Sequence, residues 1–118
     1  MEASVSPILR KQSGRLTIDN AFDSQNCFFW DRMQQQYVGY LRSMKDSFRS
    51  IRRTTSPDFV HWSWPQWIDL GDAPLEHFYT NAITPYFRAP HLYLGFPMRY
   101  LPQRNAVLPE RYDDTRGV

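Results

Sequence analysis

Residue types able to do chemistry are few in this chain, and their spacing narrows the choice at once. Cys27 is the only cysteine, which excludes an internal disulfide and a thiolate zinc site. It stands between Asn26 and Phe28 in an apolar run, where a small buried hydrophobe is the natural role, and no basic neighbour is placed to make it a nucleophile. His61, His77 and His91 have no common helical or hairpin spacing with carboxylates suggestive of a metal, so a zinc site is not expected, and no cofactor is called for. What remains are amides and aromatic rings. Asn26 and Asn81 recur 55 residues apart and fit either sugar-hydroxyl binding or a repeated structural amide, with structure favoured. The rings of Trp62, Trp64 and Trp67 can stack on a pyranose face, although core or inter-sheet packing is the commoner use of such a cluster.

The elements that must position these residues read as strands. The chain has 118 residues, enough for one compact domain with a core but not for two, and 42% hydrophobic and 16% aromatic content argues against disorder. Nine prolines and five glycines point to strands and turns. A formal charge of +2 and an isoelectric point near 8.9 reflect a small arginine excess without the one-sided clustering of a nucleic-acid interface. Arg49, Arg52 and Arg53 are read as a solvated or ion-paired strand face. Met1 to Arg15 contains no apolar signal core, and no stretch approaches membrane-spanning length. As written, the chain is expected to be cytoplasmic, with neither nucleic acid nor membrane as partner.

Residues 1–21 read as an N-terminal arm. Four short strands follow: Cys27 to Trp30, Tyr37 to Ser43, Phe48 to Thr55 and His61 to Ile68. The reversals between them fall at Asp31 to Gln36, at Lys45-Asp46 and at Ser56-Pro57-Asp58. In the last, Ser56 and Asp58 can cap backbone N–H groups while Pro57 presets φ. Trp62 is expected to enter the fourth strand and seal that turn against the sheet. Such strands make one antiparallel sheet the size of a propeller blade.

After the loop Asp69 to Pro74 the pattern starts again. Ser24-Gln25-Asn26-Cys27-Phe28 aligns with Tyr79-Thr80-Asn81-Ala82-Ile83, and Tyr37-Val38-Gly39-Tyr40 aligns with Tyr93-Leu94-Gly95-Phe96, at offsets of 55 and 56 residues. A repeat of this period is blade-sized. The alignment puts Phe87-Arg88-Ala89-Pro90 in a hairpin turn. The third and fourth strands of the second copy are missing from the pattern. The expectation is therefore an all-β fragment, with a complete four-stranded blade over 22–70 and an incomplete one over 76–118. Its Tyr40 and Phe96 faces, uncovered in such a fragment, would promote self-association.

The order Phe22-Asp23-Ser24-Gln25-Asn26, Tyr37-Val38-Gly39-Tyr40, Thr54-Thr55-Ser56-Pro57-Asp58-Phe59-Val60-His61-Trp62-Ser63 resembles the five-bladed β-propeller glycoside hydrolases, the superfamily of families 32, 43, 62 and 68. Asp72 to Ile83 with Ala89 to Pro97 is similar to family-32-like proteins of bacteria. The resemblance covers about residues 20–118. It implies a hydrolase of glycosidic bonds, with carbohydrate as partner and with acidic residues on the innermost strands facing an axial funnel. A non-catalytic propeller that binds glycan or protein is the alternative, and a truncated chain would be inactive.

Cleavage of a glycosidic bond uses one carboxyl to protonate the leaving oxygen and another to attack or to activate water. The resemblance assigns those roles to Asp23 and Glu76, at the entries of the two copies, one residue ahead of Ser24 and three ahead of Tyr79. Their competing roles are a turn or strand cap for Asp23 and a loop carboxylate paired with an arginine for Glu76. Asn26, Asn81 and Arg88 become substrate-binding candidates. Arg88 stands in a tetrapeptide similar to the Arg-Asp-Pro motif of family 32, with Ala89 in the aspartate's place. The Trp-x-Asn-Asp-Pro-Asn motif of invertases is absent.

Overall fold

The computed structural model describes residues 25–105 and 116–117, and among these every regular element is a strand. Strands β1 (Cys27–Asp31), β2 (Gln36–Lys45), β3 (Phe48–Ser56) and β4 (Gln66–Trp67) form a four-stranded antiparallel sheet in sequential order. Each reversal has a local cause. The Asp31 carboxylate accepts the Met33 and Gln34 N–H groups at 2.7 and 3.0 Å, and Gln35 at φ 52° closes the turn. Asp46 and Ser47, at φ 48° and 68°, make a two-residue turn whose twist suits the β2–β3 hairpin.

The Ser56-Pro57-Asp58 turn is present. Ser56 Oγ accepts the Asp58 N–H at 3.3 Å, and Asp58 Oδ1 accepts those of Val60 and His61 at 2.9 and 2.7 Å.

The fourth strand is shorter than His61 to Ile68. Only Gln66–Trp67 enter the ladder, because Pro65 has no N–H to offer. The Ser63 hydroxyl also takes the Thr55 N–H at 3.0 Å, where a strand would present a carbonyl. Trp62 therefore lies outside β4, yet it does close the turn. Its ring meets Phe28 and Phe59 edge-on at 5.3 and 5.2 Å, and its Nε1–H donates to the Phe59 carbonyl at 3.0 Å. The ring is half-buried, so Trp62→Ala should cost about 2 kcal/mol, less than the roughly 3–5 of a fully buried large side chain. Urea unfolding of the two proteins measures the difference.

Strand alternation sends Phe29, Val38, Tyr40 and Ile51 to one face. Val38, Tyr40 and Ile51 form the buried core there, joined by Phe29, Ile68, Phe78, Ile83 and Tyr93. The last three come from the second half of the chain, which consists of β5 (His77–Phe78), β6 (Thr84–Tyr86), β7 (Ala89–Leu94), β8 (Arg99–Asn105) and β9 (Arg116–Gly117). That half covers the face of Tyr40, which is only 6% exposed. The expectation of an uncovered Tyr40 face is thus corrected, since Phe29 and Tyr93 close over the ring. Phe96 stays 70% exposed.

β6 and β7 pair as a hairpin around Phe87-Arg88, where the repeat places a turn. A Cβ on Gly39 would lie 2.6 Å from Phe28 Cε1, and one on Gly95 would lie 2.9 Å from Ile83 Cγ1. The sequence repeat aligns those same two pairs, so each glycine clears space for the large side chain of its own copy. The third strand of the first copy has no counterpart beside β7 among the described residues. β8 pairs instead with β5, through His77↔Tyr100 and Phe78↔Arg99, and with β9.

Two arginines of β3 lie against aromatic rings, which adds a packing role to the expected solvated or ion-paired face. Arg49 stacks over Tyr100 at 4.0 Å and Arg52 over Trp67 at 4.1 Å, while Arg53 donates to the Gln34 side chain at 3.1 Å. The guanidinium groups of Arg49 and Arg52 thus lie over the ring faces themselves, a cation–π arrangement. That is why β3 alternates so poorly in sequence.

Candidate functional site

Asp23 lies outside the described residues. Glu76 stands directly before β5, and its Oε1 accepts from Arg99 Nη2 at 2.6 Å, a carboxylate held in one orientation by an arginine. Asn26 Oδ1 accepts the Arg42 N–H at 3.2 Å. Asn81 is fully buried and donates to the carbonyls of Gln25 and Tyr40 at 3.0 and 3.4 Å, while its Oδ1 accepts the Ile83 N–H at 3.2 Å. Both amides therefore act on the backbone at the same stretch of β2. Arg88 sits exposed on the β6–β7 turn over the Phe87 ring, 5.4 Å from its centre. Among the described residues no hydrogen bond joins Glu76 or Arg88 to the asparagines.

The structure assembles a second group that sequence reasoning passed over. Asp31, read as part of a polar reversal, is 2% exposed. Besides capping its turn it accepts the Tyr93 hydroxyl at Oδ2. Gln34 donates to the Tyr93 oxygen at 3.2 Å and accepts from Arg53 at 3.1 Å. The group binds the β1–β2 turn to β7 and β3. Burial raises the Asp31 pKa, but the bonds from Tyr93, Gln34 and Met33 and the charge of Arg53 outweigh it and hold the carboxyl below its ordinary value. The Tyr93 phenol is pushed up to about 12, first by burial and then by its bond to Asp31 and that residue's charge. The one sequence signal for the pair was Tyr93 itself, a polar aromatic recurring in register with Tyr37.

Next to this group a cleft of about 430 Å³ opens between the two hairpin turns, with Phe29, Trp30, Asp31 and Arg32 on one side and Pro85, Phe87 and Pro90 on the other. Glu76, Asn26, Asn81 and Arg88 do not line it, although Arg88 adjoins Phe87.

His77 ties the two halves together at the other end. Its Nδ1 accepts the Arg49 N–H at 3.1 Å while the ring stacks on Phe48. Burial lowers its pKa, and the Arg49 charge adds to the effect. The unfolded chain thus takes up this proton first. Stability held above about pH 6.5 should fall as pH drops toward the folded value. Thermal melts between neutral and mildly acid pH should show a decline that shrinks in His77→Gln, which keeps an acceptor but does not titrate.

Among the described residues no three His, Cys, Asp or Glu side chains gather as a metal site, and no helix is long and apolar enough to cross a membrane. No protein-family model matches the chain, and neither a curated protein nor a solved structure matches it.

Proposed function

We propose that the chain is part of a five-bladed β-propeller of the glycoside hydrolase type, acting on glycosidic bonds. In this reading the β1–β4 sheet is one blade and the segment from Glu76 onward opens the next. The observation that carries it is the repeated hairpin, in which Phe28 over Gly39 and Ile83 over Gly95 make equivalent contacts beside a sheet of four sequential strands. A carboxylate precedes each copy, Asp23 and Glu76. One acts as the acid that protonates the leaving oxygen and the other as nucleophile or base. Arg99 orients Glu76 through its 2.6 Å bond.

A second reading, a propeller that binds glycan without cleaving it, is favoured by one observation. Glu76 is ion-paired with Arg99 at 2.6 Å, the structural role that competes with a catalytic one. Turnover of a glycoside panel by the whole propeller carrying this chain, as parent, Asp23→Asn and Glu76→Gln, decides between the two. The hydrolase reading expects each variant, still folded, to lose about 100-fold or more in rate. Saturable glycan binding without turnover supports the second reading, and wild-type rates in both variants remove the pair.

A further inference from the structure

We infer that the cleft between the two hairpin turns binds a carboxylated sugar, at a place separate from Glu76. The inference rests on the carbohydrate reading above and adds to it a site and a ligand charge. The cleft's volume of about 430 Å³ lies within the range of roughly 300–1,000 Å³ typical of small-molecule sites. Its walls are flat and apolar, with Trp30 41% and Phe87 81% exposed and Pro85 and Pro90 beside them. Such surfaces suit the C–H face of a sugar ring.

Charge selects the kind of sugar. Asp31, the carboxylate among the lining residues, is occupied by the Met33 and Gln34 N–H groups and the Tyr93 hydroxyl. Arg32 lines the cleft, and Arg88 stands on the facing turn over Phe87. Among the described residues the salt bridges are His61–Asp58 and Arg99–Glu76, and neither Arg32 in the cleft nor Arg88 beside it has a carboxylate partner there. An aromatic cleft bordered by arginines complements an anionic ring, with the sugar carboxylate on the Arg32 fork. Asp31 acts here as a positioning residue, since its cap fixes the turn from which Arg32 projects.

The test titrates the purified chain with oligogalacturonides and reads tryptophan fluorescence, to which Trp30 contributes. Neutral galacto-oligosaccharides and an oligoglutamate peptide serve as comparison ligands. Saturable binding of the oligogalacturonides is expected, weakening as salt is added. Arg32→Ala and Phe87→Ala are each expected to weaken it at least about tenfold, with melting temperatures close to the parent's because both side chains are exposed. Absence of saturable binding, equal binding of the neutral oligosaccharides or of the peptide, or binding that survives both substitutions would overturn the assignment. Glycoside turnover that Glu76→Gln abolishes and Phe87→Ala leaves intact, with no oligogalacturonide bound, would remove the cleft while the hydrolase reading stands.

Discussion

Asn81→Ala is expected to lower the stability of the folded chain by about 3 kcal/mol, a large part of what holds its two halves together. The side chain is fully buried and joins three backbone groups, the carbonyls of Gln25 and Tyr40 and the N–H of Ile83. Truncation leaves these partners in a space with little access to water, so the penalty exceeds the net worth of the bonds. Asn81→Asp should be no milder, because it turns a carboxylate oxygen toward two carbonyls. The half-buried Asn26, with one such bond to Arg42, should cost only about 1 kcal/mol on truncation. Urea unfolding followed by tryptophan fluorescence gives these values. A loss below about 1 kcal/mol for Asn81→Ala would mean that the halves are held elsewhere.

Asp31→Ala should be comparably severe, at about 3 kcal/mol, since it uncaps the β1–β2 turn and strips Tyr93 of its acceptor. The variant has a second readout. With the carboxylate gone, the Tyr93 hydroxyl loses both the bond and the charge that add to its burial. Its ionisation should then move down from about 12 toward the ordinary value near 10, seen as phenolate absorbance in an alkaline titration. The signs at the two ends of the pH scale follow directly. Asp31's depressed pKa gives stability that is present above about pH 3.9 and lost as pH falls through the folded value. Tyr93's raised pKa gives stability that is present below about pH 10 and lost as pH climbs toward 12. Asp31→Asn should flatten the acid limb.

The first three strands were legible because their turns announce themselves. Asp31, Asp46 and the Ser56-Pro57-Asp58 run all bond or bend the backbone locally, and a tight reversal depends on few distant contacts. The fourth strand was overdrawn because aromatic content resembles strand content, while the missing N–H of Pro65 sets the true limit. The repeat was visible in Asn26/Asn81 and Gly39/Gly95, and the close approaches of Phe28 and Ile83 supply its physical reason. What could not be read was tertiary. Burial of Tyr40 depends on residues more than 50 positions away folding over it, as the Tyr93 contact shows. The stacking of Arg49 on Tyr100 likewise joins distant segments.

The candidate site divides along the same line. The family resemblance singled out the carboxylates and the repeat singled out the amides, and Asn26 and Asn81 do meet the same stretch of β2. The Asp31–Tyr93 pair spans 62 positions, and the cleft beside it needs both hairpin turns at once. Neither leaves a signature within any short window of sequence.

Digestion of a glycan panel by the whole propeller of which this chain is proposed to be part, in water enriched with heavy oxygen and with products read by mass spectrometry, bears most directly on the proposed hydrolysis of glycosidic bonds. Hydrolysis through Asp23 and Glu76 joins a solvent oxygen to the anomeric carbon. The account therefore predicts shortened glycans, each with one heavy oxygen at its new reducing end, and their disappearance in Glu76→Gln. Glycans of unchanged length across the panel, or shortened products that form equally in Glu76→Gln, would contradict it.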